Sequence, residues 1–323
     1  MTGAALFRVE TVEPYPESYG SATEIVKDEL QRGVIRPIRP LAFNPDDYDV
    51  VVLATPTWWH HAAMPLQTWI RSVDLSAWRG IDTAASYLNE RAVGRAVARS
   101  GIPCSELFIS TKLWVQDTSE AGAERAIRRS LELLRTDTID LYLIHQPYGD
   151  IYGAWRTMER FYEAGDLRAI GVSNFQPDRI TDFALHQRIR PTVNQIEVNP
   201  FCQQREADAV NRVLGVMPSA WAPFAEGRDG LLENPVLREI AADRGATVAQ
   251  VALAWLAERG IISISKTVSP ARMAENLAAS NVKLTPEDMA KIATLDTGTS
   301  RFFSHRDPKI VEWLCTRRLP SEP

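Results

Sequence analysis

From Gly80 onward the chain alternates short β-prone runs with amphipathic helical stretches, and this alternation is what most restricts its fold. Seven runs have strand character: 80–83, 107–112, 140–145, 168–173, 192–197, 218–222 and 261–266. The run Asp140-Leu-Tyr-Leu-Ile-His145 is apolar on both faces, as a parallel strand covered on two sides should be. Between the runs the helical period is kept. Ala123, Ala126, Ile127, Ser130, Leu131 and Leu134 form one stripe, with Asp117 or Thr118 available as N-cap. Val248, Val251, Ala252, Trp255 and Leu256 form another, again after a Thr. Strand, helix, strand, helix at this spacing predicts βα units on a parallel sheet, an α/β fold. Seven units are one short of the eight that close a (β/α)8 TIM barrel, so the missing unit has to come from upstream.

Residues 1–79 have another texture. A helix is expected over 21–33, then a Pro-rich link through Pro37, Pro40 and Pro45. A β-branched strand over 48–54, a loop over 55–64 and a helix over 65–73 follow, with Pro65 suited to that helix's first turn. The whole chain carries 36 Lys+Arg against 41 Asp+Glu, which argues against a nucleic-acid partner. Its longest apolar runs, such as Val50-Val-Val-Leu-Ala54, are too short for a bilayer, so no membrane partner is expected. The opening residues lack a basic and an apolar region of the signal-peptide kind. Cys104, Cys202 and Cys315 are too few and too scattered for a disulfide framework or a zinc knuckle, and a reducing cytoplasm fits them. A monomer without a metal is the expected state.

Neither G-x-G-x-x-G nor a Walker-type loop occurs, so a dinucleotide would have to be held by other means. The last strand run leads into Lys266-Thr-Val-Ser-Pro-Ala-Arg272, which places two cations and a hydroxyl at a helix start. That suits a phosphomonoester such as the 2′-phosphate of NADP, and it equally describes a solvated basic helix start.

Asp82, Tyr87, Lys112 and His145 fall at or just beyond C-terminal strand ends, where barrels place their chemistry. Singly they read as a cap, a rim aromatic, a surface cation and a core histidine. Together they read as a proton-transfer site. A phenol, with a pKa of about 10, is a poor acid near neutrality unless a cation lowers that value. Lys112 can supply the cation, Asp82 can hold it, and Tyr87 can then protonate a carbonyl oxygen as hydride reaches the carbon. His145 can donate to the same oxygen.

Residues 80–314 resemble the aldo-keto reductase family. The resemblance is carried by Ile81-Asp-Thr-Ala-Ala-Ser-Tyr-Leu-Asn-Glu90, Ser110-Thr-Lys-Leu-Trp114 and Asp140-Leu-Tyr-Leu-Ile-His145. Gly171-Val-Ser-Asn-Phe175, Asn194-Gln-Ile-Glu-Val-Asn-Pro200 and the segment Lys266 to Asn276 follow in the family's order. The resemblance implies a catalytic tetrad of Asp82, Tyr87, Lys112 and His145. It implies that Ser173, Asn174 and Gln195 hold the nicotinamide carboxamide of NADPH and that Trp221 stacks on the ring. It further implies Lys266, Thr267 and Arg272 at the 2′-phosphate, and Glu275 and Asn276 at the adenine. The tail 297–308 is similar to the bacterial 2,5-diketogluconate reductase branch, whose substrates are small oxo compounds. Ser265 stands where the family usually has Pro.

The family's opening hairpin, first strand and first helix are not recognisable. Residues 7–77 instead resemble an internal fragment of a flavodoxin-like protein, through Asp47-Tyr-Asp-Val-Val-Val-Leu-Ala-Thr-Pro-Thr-Trp-Trp59 and Met64-Pro-Leu-Gln-Thr-Trp-Ile70. Its hydroxyl-rich phosphate loop is missing, which argues against FMN. The expected division is a fragment over 1–79, of which 48–79 supplies the first barrel βα unit, and a reductase barrel over 80–323. Reduction of small aldehydes and ketones by NADPH is the leading expectation. The alternative is a fusion product that binds NADPH without turnover, because an ångström of misplacement costs about 100-fold in rate.

Overall fold

The computed structural model describes residues 57–58, 61–62, 80–267 and 269–320. A short antiparallel pair, β1 (Thr57–Trp58) and β2 (His61–Ala62), lies within the expected loop over 55–64. The helix expected over 21–33, the strand over 48–54 and the helix over 65–73 lie outside the described residues, and so does the flavodoxin-like unit built on them.

Seven parallel strands follow in sequential order: β3 (Gly80–Asp82), β4 (Phe108–Leu113), β5 (Leu141–Ile144), β6 (Ile170–Ser173), β7 (Val193–Glu197), β8 (Met217–Trp221) and β9 (Ile262–Ser263). Each strand hydrogen-bonds to the next. This is the strand order of a (β/α)8 barrel, with seven of its strands among the described residues. The helices between them include α1 (Glu90–Ser100), α2 (Glu120–Leu134), α3 (Ile151–Ala164), α4 (Pro177–His186) and α5 (Arg205–Val213). After β8 come α6 (Pro235–Asp243) and α7 (Val248–Glu258), and after β9 come α8 (Pro270–Leu277), α9 (Pro286–Ala293) and α10 (Pro308–Thr316). No helix among the described residues is long and apolar enough to cross a membrane.

Six strands match the sequence expectation closely; the seventh is shorter. The ladder of β9 ends with Ile264 N donating to Ala220 O at 2.9 Å, and residues 265–267 are not strand. As the last strand in the order, β9 has its described ladder on one side only, against β8.

Both faces of the sheet are buried, which is why β5 has no polar face. Leu141 and Leu143 pack with Val193 in an inner cluster, while Tyr142 and Ile144 join Ile127, Trp155 and Phe183 beneath the helices. Gly171 is required where β6 faces that inner cluster. A Cβ there would lie 2.7 Å from Leu143 Cδ2 and 2.7 Å from Val193 O.

The stripe on α2 is buried as expected, apart from the half-buried Leu131. Its N-cap is Ser119, not Asp117 or Thr118: Ser119 Oγ accepts from Gly122 N at 3.0 Å. The reason is local. Residues Val115–Asp117 form a 3-10 turn, and the Thr118 hydroxyl is spent on Val115 O at 2.7 Å. In α7 the expected Thr is the cap: Thr247 and Gln250 form a capping box.

Candidate active site

Ser110 and Lys112 are two apart on β4, so they share the face turned toward Asp82, whose Cα pairs with that of Ser110. The Lys112 side chain is fully buried, and its Nζ donates to Asp82 Oδ1 at 2.6 Å and to Thr83 O at 2.8 Å. The other carboxylate oxygen, Oδ2, accepts from Ser110 Oγ at 2.9 Å and from Gln195 Nε2 at 3.2 Å. The ammonium also stands 5.3 Å from the centroid of the Tyr87 ring. Tyr87 closes the 3-10 turn Ala85–Tyr87, after which Leu88 turns the chain with a φ of 52°. His145 follows β5, with its N–H on Leu113 O at 3.0 Å. Its ring meets Tyr87 edge-on at 5.8 Å and Trp114 edge-on at 5.4 Å. The four residues singled out in the sequence are therefore neighbours in space.

Burial raises the Tyr87 phenol above its ordinary pKa; Lys112 opposes that rise by charge and hydrogen bonding without cancelling it. The net direction is thus opposite to the sequence expectation, because desolvation outweighs the cation. For Lys112, burial favours the neutral amine, but Asp82 and Tyr87 together hold the ammonium above its usual value. Burial, then Lys112, His305 and Arg317, pull His145 well below the ordinary imidazole range, so it is neutral near neutral pH. Ser86 Oγ lies 3.3 Å from His145 Nδ1. With the hydroxyl as donor there, the ring proton sits on Nε2, a tautomer assigned from the contact. The arrangement offers a protonated phenol beside a fixed ammonium, and a neutral N–H donor beside the phenol.

The ends of β6, β7 and β8 gather the next group. Ser173 Oγ donates to Gln195 O at 2.8 Å. Asn174, held at a φ of 65°, donates from Nδ2 to His145 O at 3.0 Å and to Ser173 Oγ at 3.1 Å. Its Oδ1 accepts from Trp221 Nε1 at 2.9 Å. Ser173, Asn174, Gln195 and Trp221 thus form one network that reaches Asp82 through Gln195. Trp221 is half-buried, with Phe302 edge-on at 5.1 Å.

The segment after β9 is more open. Lys266 and Arg272 are exposed, whereas Thr267 is buried with its Oγ1 accepting from Ser269 N at 3.1 Å. The Glu275 carboxylate accepts from the Thr247 hydroxyl at the start of α7. Asn276 is buried, and its Nδ2 has no hydrogen-bond partner among the described residues.

Sequence reasoning missed several supporting groups. Ser110 and the Thr83 carbonyl anchor the Asp82–Lys112 pair, and the period of two on β4 could have marked Ser110. Glu197, buried at the end of β7, accepts from Arg301 N at 2.9 Å, Asn199 Nδ2 at 3.1 Å and the Ser300 hydroxyl. It thereby fastens the loop that carries Phe302, Phe303 and His305. Arg228 lies over the Phe302 ring at 4.2 Å, and Arg301 pairs with Asp229 at 3.0 Å. Nothing in the local sequence pattern announces contacts between segments so far apart.

A model of the aldo/keto reductase family matches residues 76–297. Glyoxal reductase of Bacillus subtilis is 39% identical over 228 residues, covering 70% of this chain and 82% of its own. Methylglyoxal reductase DkgA of Yersinia pestis is 39% identical over 224 residues, covering 68% of this chain and 80% of its own. Among solved structures, a Bombyx mori aldo-keto reductase in complex with NADP superposes with a TM-score of 0.69 at 32% identity, covering 74% of this chain and 85% of that one.

Proposed function

The chain belongs to the aldo/keto reductase family, and from that premise we propose that it reduces small aldehydes and ketones, among them dicarbonyls and sugar keto acids, to alcohols with NADPH. The observation that carries this reading is the buried Lys112 ammonium held between Asp82 and the Tyr87 ring, with His145 beside the phenol. Similarity to glyoxal and methylglyoxal reductases supports the substrate class, and the NADP-bound relative supports the cofactor.

The residues present fit a dinucleotide. The buried Asn276 Nδ2, without a hydrogen-bond partner among the described residues, suits a purine edge, with Glu275 beside it. Lys266, Thr267 and Arg272 would take the 2′-phosphate, Ser173, Asn174 and Gln195 the carboxamide, and Trp221 the face of the nicotinamide. When bound, the reduced nicotinamide supplies the hydride. Tyr87, kept protonated by burial, gives its proton to the carbonyl oxygen. Lys112 stabilises the phenolate left behind, and Asp82 keeps the ammonium in place. His145 donates from Nε2 to the same oxygen and orients the carbonyl. A solvent proton then restores the phenol.

NADPH oxidation with methylglyoxal tests the reading. Tyr87→Phe is expected to lower kcat by about 10²–10⁴-fold with NADPH still bound, as read by quenching of its fluorescence. A Tyr87→Phe protein as active as the wild type overturns the proposed acid. NADPH binding by a wild type that turns over no carbonyl would establish the binding-only alternative.

A further inference from the structure

The two carboxylate oxygens of Asp82 are used differently. Oδ1 takes the Lys112 ammonium at 2.6 Å, while Oδ2 takes Ser110 Oγ at 2.9 Å and Gln195 Nε2 at 3.2 Å. The two donors on Oδ2 are not equivalent. Gln195 is a long side chain in the group assigned above to the nicotinamide carboxamide, so its amide is free to turn toward a bound cofactor. Ser110 has no such freedom. Its Cα pairs with that of Asp82 in the β3–β4 ladder, its carbonyl accepts from Thr83 N at 2.8 Å, and the residue is 3% exposed. A side chain one carbon long at that register has its oxygen placed by the backbone, so Ser110 is the fixed donor to Oδ2.

The charges around the phenol give that hydroxyl a consequence. The Lys112 ammonium stands 5.3 Å from the Tyr87 ring centroid, and the third neighbour, His145, meets the ring edge-on as a neutral imidazole. At the phenol the two charges oppose each other: Lys112 favours ionisation and Asp82 disfavours it. A hydroxyl donating to Oδ2 draws negative charge away from Oδ1 and fixes the plane of the carboxylate. Without it, Asp82 presents more charge to the ammonium, and less of the ammonium's field reaches the phenol. Burial magnifies the difference, because a low local dielectric strengthens each of these interactions. A weaker field leaves Tyr87 a weaker acid.

We propose that Ser110 is a positioning residue for the reaction: by holding Asp82 Oδ2 it leaves Oδ1 to Lys112 and keeps the ammonium's field on Tyr87. This rests on the carbonyl-reductase reading of the same site. Ser110 takes no part in bond making and acts through Asp82.

The test uses the full chain with NADPH and methylglyoxal. Ser110→Ala keeps the ladder and removes the hydroxyl. Its kcat is expected to fall about tenfold, as befits one lost hydrogen bond to a charged group, with KM and the NADPH Kd within about twofold of the wild type. Ser110→Thr and Ser110→Val have the same shape and differ in the hydroxyl, so Thr is expected to exceed Val severalfold in kcat. In an Asp82→Ala background, Ser110→Ala is expected to cost nothing further. An unchanged kcat in Ser110→Ala, a loss confined to KM or Kd, a Thr variant no better than Val, or a further tenfold loss in the Asp82→Ala background each overturns the proposal. A wild type without turnover defeats the reductase reading instead. In that event NMR of protein labelled with 13Cζ-tyrosine, with Tyr87 assigned from Tyr87→Phe, reads the phenol directly. At the most alkaline pH the fold tolerates, Tyr87 should be less ionised in Ser110→Ala than in the wild type. An equal or greater ionised fraction overturns the proposal.

Discussion

Replacing Lys112 with Met keeps most of the buried aliphatic stem and removes the ammonium. The structure sets the cost. The Lys112 side chain is fully buried and that of Asp82 is 15% exposed, so water does little to replace the lost charge. Asp82 keeps Ser110 Oγ and Gln195 Nε2 as donors, but the Thr83 carbonyl loses its 2.8 Å partner. Breaking a buried pair from one end costs about 3–5 kcal/mol. For a domain of this size that lowers the melting temperature by roughly 10 °C. Asp82→Asn strands the ammonium instead and is expected to cost a similar amount. The double variant carries neither charge, so its loss should fall short of the sum of the two singles by about 2–3 kcal/mol. Lys112 is also the group that opposes the burial-driven rise of the Tyr87 pKa. Its removal is therefore expected to weaken the phenol as an acid and lower kcat by about 10²–10⁴-fold. Urea denaturation and melting of the three variants, with NADPH oxidation alongside, measure both effects. Single variants within about 1 kcal/mol of the wild type, or strict additivity in the double, would refute the claim that this pair is a buried, mutually dependent unit.

Two further outcomes follow from the geometry. His305, at about 4, and His145, well below its ordinary value, stay neutral in the fold while an unfolded histidine protonates near pH 6.5. Their contribution is complete above that pH and is lost as the pH falls toward their folded values, by up to about 3 kcal/mol for His305 alone. Urea midpoints across this window should drop with acid, less steeply in His305→Phe, and equal slopes would contradict the assignment. Gly171→Ala puts a methyl 2.7 Å from both Leu143 Cδ2 and Val193 O, and is expected to destabilise by about 1–3 kcal/mol or more. A neutral effect on the urea midpoint would mean that the inner cluster is looser than its contacts imply.

The parallel character of the sheet was legible because two-sided burial leaves no polar residue on a strand such as β5, and helix stripes survive translation into sequence as a fixed period. Asp82, Tyr87, Lys112 and His145 were legible for a related reason: they lie at or just beyond strand ends, and the strand order brings such ends to one rim. The cap of α2 was misplaced because Asp117, Thr118 and Ser119 are all competent, and a preceding 3-10 turn selected among them.

Local period and motif positions along the chain suffice to reveal the parallel βα order, the family and the four residues that meet around the Lys112 ammonium. Packing alone makes burial outweigh Lys112 at the Tyr87 phenol and lets Glu197 fasten the loop near residue 300. Solvent exclusion and contacts between segments about 100 residues apart in the chain are properties of the assembled packing, and no local pattern encodes them.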